Sequence, residues 1–394
     1  MNPFLAVLTA SLLARLSYQM ARSPVLPRFA EELGAAPELI GMVVAASTIT
    51  GVVFKLPAGA LSDLLGRRRV MLLGAVFFAV PPFFYPLATD AVSLLALRFV
   101  HGFATAIFAP VASAYVAGLG DVGRGARLGW FSSAGDIGAT AGPLLGGLVL
   151  YATASFTASY LLVGVLGVLA FGFALAVPQT EAEKTSTPRS VAGQAAEFRD
   201  GLRDVVTTPV VLTAAAVEAT MYLGFGAFLG FLPLYAASVG LDDAEIAVIL
   251  AIQLTTALLV KPLAGRISDR VGRKPVIVLG LLAAAASLPL IFRAASFASL
   301  AAIVPLLGLG VAAVTPATNA LIADLVAARR LGTGMGVFGT IWDIGEAAGP
   351  ILAGVLIGQI GYGLAFDAIA AIMAAVALVF AVRVRLAAAP AQPP

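Results

Sequence analysis

The chain has 394 residues, 60% of them hydrophobic and only 11% charged, with a mean hydropathy of +1.00. Soluble domains carry about 25% charged residues, so an ordinary water-soluble fold is excluded. The net charge of +3 does not point to nucleic acid, because the arginines cluster in short hydrophilic loops, and the absence of cysteine rules out disulfides, thiolate metal sites and a cysteine nucleophile.

Apolar stretches of about 20 residues, each long enough to cross a hydrocarbon core as a helix, recur along the chain. The predicted spans are 4–28, 38–60, 70–89, 92–118, 128–151 and 158–178, then 209–236, 243–265, 276–294, 297–323, 333–358 and 362–384. The expected fold is all-α and polytopic, about twelve transmembrane helices in two pseudo-symmetric six-helix bundles, 1–178 and 209–394. Met1 to Pro27 has no small-residue cleavage pattern and reads as a full span rather than a removable leader. Between the bundles, 179–208 is polar, charged and interrupted by Pro188, which predicts a cytoplasmic linker with a surface helix over Val191 to Val206. The last residues, AAAPAQPP, read as a disordered tail.

The chain repeats itself. KLPAGALSDLLGRRRVMLLG from Lys55 returns from Lys261 as KPLAGRISDRVGRKPVIVLG, with ten of twenty positions identical and no gaps. WFSSAGDIGATAGPLLGGLVL from Trp130 returns as VFGTIWDIGEAAGPILAGVLI from Val337. Two copies of one unit in an apolar chain point to a secondary transporter, whose halves rock about a site near mid-membrane.

Basic residues set the expected orientation. With both termini cytoplasmic, the inner loops, linker and C-terminal end hold about 17 Lys and Arg, among them Arg67 to Arg69, Arg124, Arg127, Arg266, Arg270, Arg273, Lys274, Arg329, Arg330, Arg383 and Arg385. The outer loops hold Arg28 and Arg293. By the positive-inside rule this predicts a multi-pass protein of a bacterial-type cytoplasmic (inner) membrane.

GALSDLLGRRRVML (Gly59 to Leu72) resembles the cytoplasmic loop signature of the major facilitator superfamily, and GRISDRVGRKPVIV (Gly265 to Val278) is its echo. Gly59 and Gly66 permit a tight turn and close helix approach. Asp63 suits a helix N-terminus, and Arg67 and Arg68 hold the loop in the cytosol. The resemblance implies a gating charge relay through Asp63, Arg67 and Arg68; in the second half Gly265, Asp269, Gly272, Arg273 and Lys274 are the matching gating-loop residues. Leu64 departs from the family pattern, which often has Arg there. Anchoring of topology alone is the plainer reading of these residues.

Three further segments are similar to the twelve-helix drug:proton antiporters: SPVLPRFAEELG (Ser23 to Gly34), LRFVHG (Leu97 to Gly102) and GATAGPLLGG (Gly138 to Gly147). The last contains Gly138, Gly142, Pro143, Gly146 and Gly147, with Gly349 and Pro350 at matching places in the second half. Small residues four apart let helices approach closely, and proline removes a backbone donor and bends a helix. The resemblance implies that the bend seals an exporter against leak; plain helix packing is the alternative.

Ionisable side chains inside a membrane cost several kcal/mol, with roughly 2.5–3.5 kcal/mol as the lower estimate. Glu218 and Arg15 each lie roughly 14 Å deep at about 1.5 Å per residue. Glu218 is the first choice for a proton carrier, since burial favours the neutral acid and a nearby cation the carboxylate. A permanent Glu218–Arg15 pair is the structural alternative. The resemblance assigns Arg98 to proton coupling, with His101 one turn deeper on the same face. Asp136 and Asp343 occupy matching places before the Gly-Pro pair, and Glu346 lies one turn beyond. They are candidates for proton coupling or for fixing the bent helices.

Arg15, Tyr18, Gln19, Arg22, Tyr222, Phe225, Gln253, Asn319 and Trp342 are candidate liners of a substrate cavity by depth. Aromatic and polar surface together suit an amphipathic ligand. Lys55 and Lys261 read as snorkelling residues, and Asp367 as a near-interface residue of no consequence.

The sequence therefore predicts a proton-coupled exporter of amphipathic small molecules or drugs by alternating access. The alternative is an organic-anion carrier, by symport or exchange, using Arg15, Arg22 and Arg98. No GxxxxGK[ST] loop is present, so the proton gradient rather than ATP is the expected energy source, and no cofactor or metal is expected. No nucleophile–base constellation supports an enzyme. Expected partners are a small-molecule substrate, protons and the lipid bilayer, with no nucleic acid; the family precedent is a monomer.

Overall fold

The computed structural model describes residues 2–120, 123–179, 193, 196, 199–200, 202–203, 209–325 and 331–384. Most of the predicted linker and its surface helix, Arg329, Arg330, Arg385, the C-terminal tail and the side chain of Asp63 lie outside the described residues. Every regular element among the described residues is helical. Ten of these helices are long and apolar enough to cross a membrane. The last of them, Gly336–Arg383, spans 48 residues and breaks at Gly361, where φ is 76°, so it supplies two of the predicted passes. The remaining long helix, Arg124–Thr153, is long enough but has no sufficiently apolar 18-residue stretch.

The chain divides into two compact units, Met1–Ala196 with Asp242–Val248, and Glu197–Leu241 with Ile249–Pro394. The first holds α1 (Pro3–Met20), α2 (Leu26–Glu32), α3 (Pro37–Leu65), α4 (Arg67–Ala79), α5 (Ala91–Ala117), α6 (Arg124–Thr153) and α7 (Phe156–Leu175). The second holds α8 (Pro209–Ser238), most of α9 (Asp243–Val271), α10 (Arg273–Ile291), α11 (Phe297–Leu325) and α12 (Leu331–Arg383).

Prolines explain two departures from the predicted spans. The first span does not close at SPVLPRF. A π-turn over Ala21–Val25, with Ser23 extended at φ −150° and ψ 136°, separates α1 from α2, and helix resumes to Glu32. Pro24 and Pro27 lack the N–H groups that an unbroken helix would use there. The third span likewise stops at Ala79 and continues as a 3₁₀ segment over Pro81–Leu87, which contains Pro81, Pro82 and Pro86.

The repeated loops are shorter than predicted. α3 continues to Leu65 and α9 to Val271, leaving only Gly66 and Gly272 between helices, at φ 92° and 94°. Only glycine enters that region without steric cost, so these two positions are the turn. Gly59 contributes neither turn nor close contact: it lies inside α3, and a Cβ there would meet nothing within 4 Å. Asp269 sits in the last helical turn of α9.

The same glycine device builds both units. On α6, Gly138, Gly142 and Gly146 lie four residues apart against α1, where added Cβ atoms would stand 2.9 Å from the Leu12 oxygen, 2.8 Å from Gln19 Cβ and 2.9 Å from the Met20 oxygen. On α12, Gly345 and Gly349 bear on Ala219 and Leu223 of α8 in the same manner. Small residues let backbones approach closely where lipid supplies no hydrophobic drive. Both helices run through their prolines, Pro143 and Pro350, in continuous helical backbone.

Candidate functional site

Among the described residues, each unit holds a cluster around a fully buried charged group. In the first unit the group is Arg98 on α5, with no solvent exposure. The guanidinium lies 4.6 Å from the centre of the Tyr18 ring on α1, a cation–π distance. His101, one turn along α5, is equally buried, and its Nδ1 lies 3.1 Å from the Tyr85 hydroxyl. Tyr85 stacks on Tyr160 of α7 at 4.2 Å and 11°, and Tyr18 meets the His101 ring edge-on at 5.3 Å. α5 can deliver Arg98 so deeply because Gly102 and Thr50 let α3 press close: a Cβ at Gly102 would stand 2.7 Å from Thr50, whose hydroxyl donates to the Phe99 carbonyl at 2.8 Å.

In the second unit the group is Glu218 on α8, also with no exposure. The Thr318 hydroxyl on α11 lies 2.5 Å from Glu218 Oε2, and Lys261 of α9 is the cation whose charge reaches the carboxylate within this unit. One turn along α8, Tyr222 receives the Thr315 hydroxyl at 3.5 Å and lies against Trp342 at 4.4 Å and Phe225 at 5.8 Å. Asn319 donates to the Thr315 carbonyl at 2.8 Å. A buried carboxylate, hydroxyls and aromatic faces are thus held by three helices, α8, α11 and α12.

Several predicted residues therefore come together: Arg98, His101 and Tyr18 in the first unit, and Glu218, Tyr222, Phe225, Asn319 and Trp342 in the second. Arg22 is buried near Tyr18, while Arg15 and Gln19 are half-buried on α1. Gln253 is fully buried in α9, where a Cβ on Gly308 of α11 would stand 2.7 Å from its carbonyl oxygen. Asp136 is half-buried on α6, Asp343 buried and Glu346 half-buried on α12.

Four contributors escaped the sequence reading: Tyr85 and Tyr160 around Arg98, and Thr315 and Thr318 around Glu218. The available signal was weak. Thr315 and Thr318 are hydroxyls in a mostly apolar helix, three residues apart and hence on one face. Lys261 belongs to the surroundings of Glu218, and Asp367 accepts two bonds from Arg293 at 2.7 and 2.5 Å.

The repeated loops carry different chemistry. In the second unit Arg273 pairs with Asp269, donates to the Ser268 hydroxyl at 2.8 Å and bridges Asp324 at 3.3 Å. In the first, Arg67 donates to the Ala114 carbonyl at 2.9 Å and Arg68 to the Val177 and Leu175 carbonyls at 2.5 and 3.0 Å. Arginine there meets carbonyls at the C-terminal ends of α5 and α7, where positive charge is favoured. Away from the clusters, Arg28 bridges Glu31 at 3.0 Å and Asp243 at 3.3 Å within the first unit.

The family described as the Major Facilitator Superfamily matches residues 7–242 and 214–394. An uncharacterized MFS-type transporter of Methanocaldococcus jannaschii is 24% identical over 345 residues, 86% of this chain and 87% of the relative. The quinolone resistance protein NorA of Staphylococcus aureus is 24% identical over 336 residues, 84% of each chain. Among solved structures, the nucleoside transporter NupG superposes with a TM-score of 0.77 at 15% identity, covering 96% of this chain and 98% of NupG. That likeness shows the shared fold.

Proposed function

The chain belongs to the Major Facilitator Superfamily, and from that premise we propose that it is a proton-coupled exporter of amphipathic small molecules, working by alternating access in a bacterial-type cytoplasmic membrane with both termini inside. The observation that carries this reading is the Glu218–Thr318 contact. The Thr318 oxygen lies 2.5 Å from the carboxylate and also 2.9 and 3.1 Å from the carbonyls of Val314 and Thr315. A hydroxyl has one proton to give and lone pairs to receive. With Glu218 ionised, Thr318 donates to it. With Glu218 protonated, the acid donates to Thr318, which turns its own proton to a backbone carbonyl. The contact between Glu218 Oε2 and Thr318 keeps a hydrogen bond in both protonation states, which suits a reversible proton carrier in a dry site.

The neighbouring Tyr222, Phe225 and Trp342 supply aromatic surface one turn away, suited to an apolar ligand body. The name of the staphylococcal relative, a quinolone resistance protein, agrees with export of such compounds. In this reading Arg98 and the matched acids Asp136, Asp343 and Glu346 act in coupling, and a monomer suffices. The test is growth of a pump-deficient bacterium expressing the chain across a panel of amphipathic compounds, with Glu218→Gln as control. The expected result is raised tolerance to part of the panel that Glu218→Gln removes; unchanged susceptibility throughout contradicts export.

A further inference from the structure

We propose that the first unit contains a buried binding site for a monovalent anion, chloride or an organic carboxylate, centred on the Arg98 guanidinium. Burying an isolated guanidinium costs several kcal/mol unless a counter-charge and hydrogen bonds compensate. No carboxylate is among the buried charged or polar side chains described in this unit; the buried ionisable groups there are Arg22, Arg98 and His101 with Tyr18, Tyr85, Tyr115 and Tyr160. Arg98 takes part in none of the ion pairs of the described residues. Its Nε, Nη1 and Nη2 atoms all lack a hydrogen bond of good geometry, although the Tyr85 hydroxyl lies within hydrogen-bond reach of the guanidinium.

Each of the orphaned groups can present a donor. Arginine has donors only. The Tyr85 contact occupies His101 Nδ1; with that nitrogen accepting, Nε2 carries the ring proton of the neutral imidazole, and Nε2 is buried without a partner. The Tyr160 hydroxyl is likewise buried and unpartnered, and the stacking of its ring on Tyr85 at 4.2 Å places it in the same cluster. Donors from α5 and α7, all on fully buried side chains, match an anion and reject a cation. The tyrosine rings around them suit the flat body of an aromatic acid. This inference does not rest on proton-coupled export and is tested without a gradient.

The experiment is thermal unfolding of the purified full chain in detergent, titrated with chloride or benzoate at constant ionic strength in gluconate, with neutral benzamide as control. The expected result is a saturable rise in unfolding temperature with benzoate, chloride or both, and none with benzamide. A response to benzoate alone identifies a substrate carboxylate; a chloride response that competes with benzoate identifies an inorganic ion sharing the site. Arg98→Gln should abolish the response, and Tyr160→Phe and His101→Asn should each weaken the apparent affinity about five- to tenfold. No saturable response to either anion in the unmodified chain overturns the proposal, as does an unaltered response in Arg98→Gln. Should Arg98→Gln fail to fold, unchanged affinity in both Tyr160→Phe and His101→Asn overturns it equally.

Discussion

Thr318 and Glu218, a hundred residues apart in the chain, meet at 2.5 Å through a hydroxyl that also faces two backbone carbonyls. If that hydroxyl switches between donating and accepting, its chemistry matters and its size does not. Thr318→Ser should keep proton-driven flux near that of the unmodified chain. Thr318→Val, which keeps the shape and removes the switch, should reduce it about tenfold or more, since a hydrogen bond to a charged group is worth about 1.5–3 kcal/mol. Flux in proteoliposomes under an imposed proton gradient measures both, and equal flux in the two variants contradicts the switch.

The α1–α6 seam should be intolerant of bulk where the backbones touch and indifferent elsewhere. A Cβ at Gly142 would stand 2.8 Å from both Gln19 Cβ and the Met20 nitrogen, whereas at Gly129 it would meet nothing within 4 Å. Gly142→Leu should lower stability by about 1–3 kcal/mol, the usual cost of overpacking. Gly129→Ala should be neutral or slightly stabilising through helix propensity. Unfolding temperatures in detergent compare them.

Asp90 caps α5, accepting from the backbone N–H groups of Val92 and Ser93 at 2.9 and 2.8 Å. Those bonds, the one from Ser93 foremost, hold its carboxyl below the usual carboxylate value against a smaller opposing effect of burial. A depressed folded-state value means that the stabilisation is present above the unfolded-state range and lost as pH falls through the folded value. Asp90→Ala should therefore lower the unfolding temperature at neutral pH, and the gap should close in acid. A gap that persists at low pH assigns the effect to something other than the ionised cap.

Arg293 and Asp367 form a bidentate pair, but the side chains are 51% and 38% exposed. Water and salt screen such pairs. Asp367→Asn should leave flux intact and change the unfolding temperature little, with any difference shrinking as salt rises. A loss of flux would give this pair a role in the transport cycle.

Much of the architecture was legible in the sequence because lipid imposes length and composition on each span, and because the repeat marks equivalent positions. The Gly-Pro segments were readable too, as spacing four residues apart places Gly138, Gly142 and Gly146 on one helix face. Helix ends were not: the predicted span ends at residue 60, yet α3 runs to Leu65, because the polar pair Ser62 and Asp63 remains compatible with helix. The partners of buried charges were least visible. Arg98 and Glu218 stand out as charges in apolar helices, whereas Tyr85, Tyr160 and Thr318 are ordinary residues whose importance comes from tertiary placement alone.

The central claim, that Glu218 carries the proton that drives transport, is tested most directly in proteoliposomes by separating gradient-driven flux from substrate counterflow in Glu218→Gln. The account predicts that an imposed proton gradient drives substrate accumulation in the unmodified chain and none in Glu218→Gln, while counterflow without a gradient persists in both. Gradient-driven accumulation retained at full rate in Glu218→Gln would contradict it.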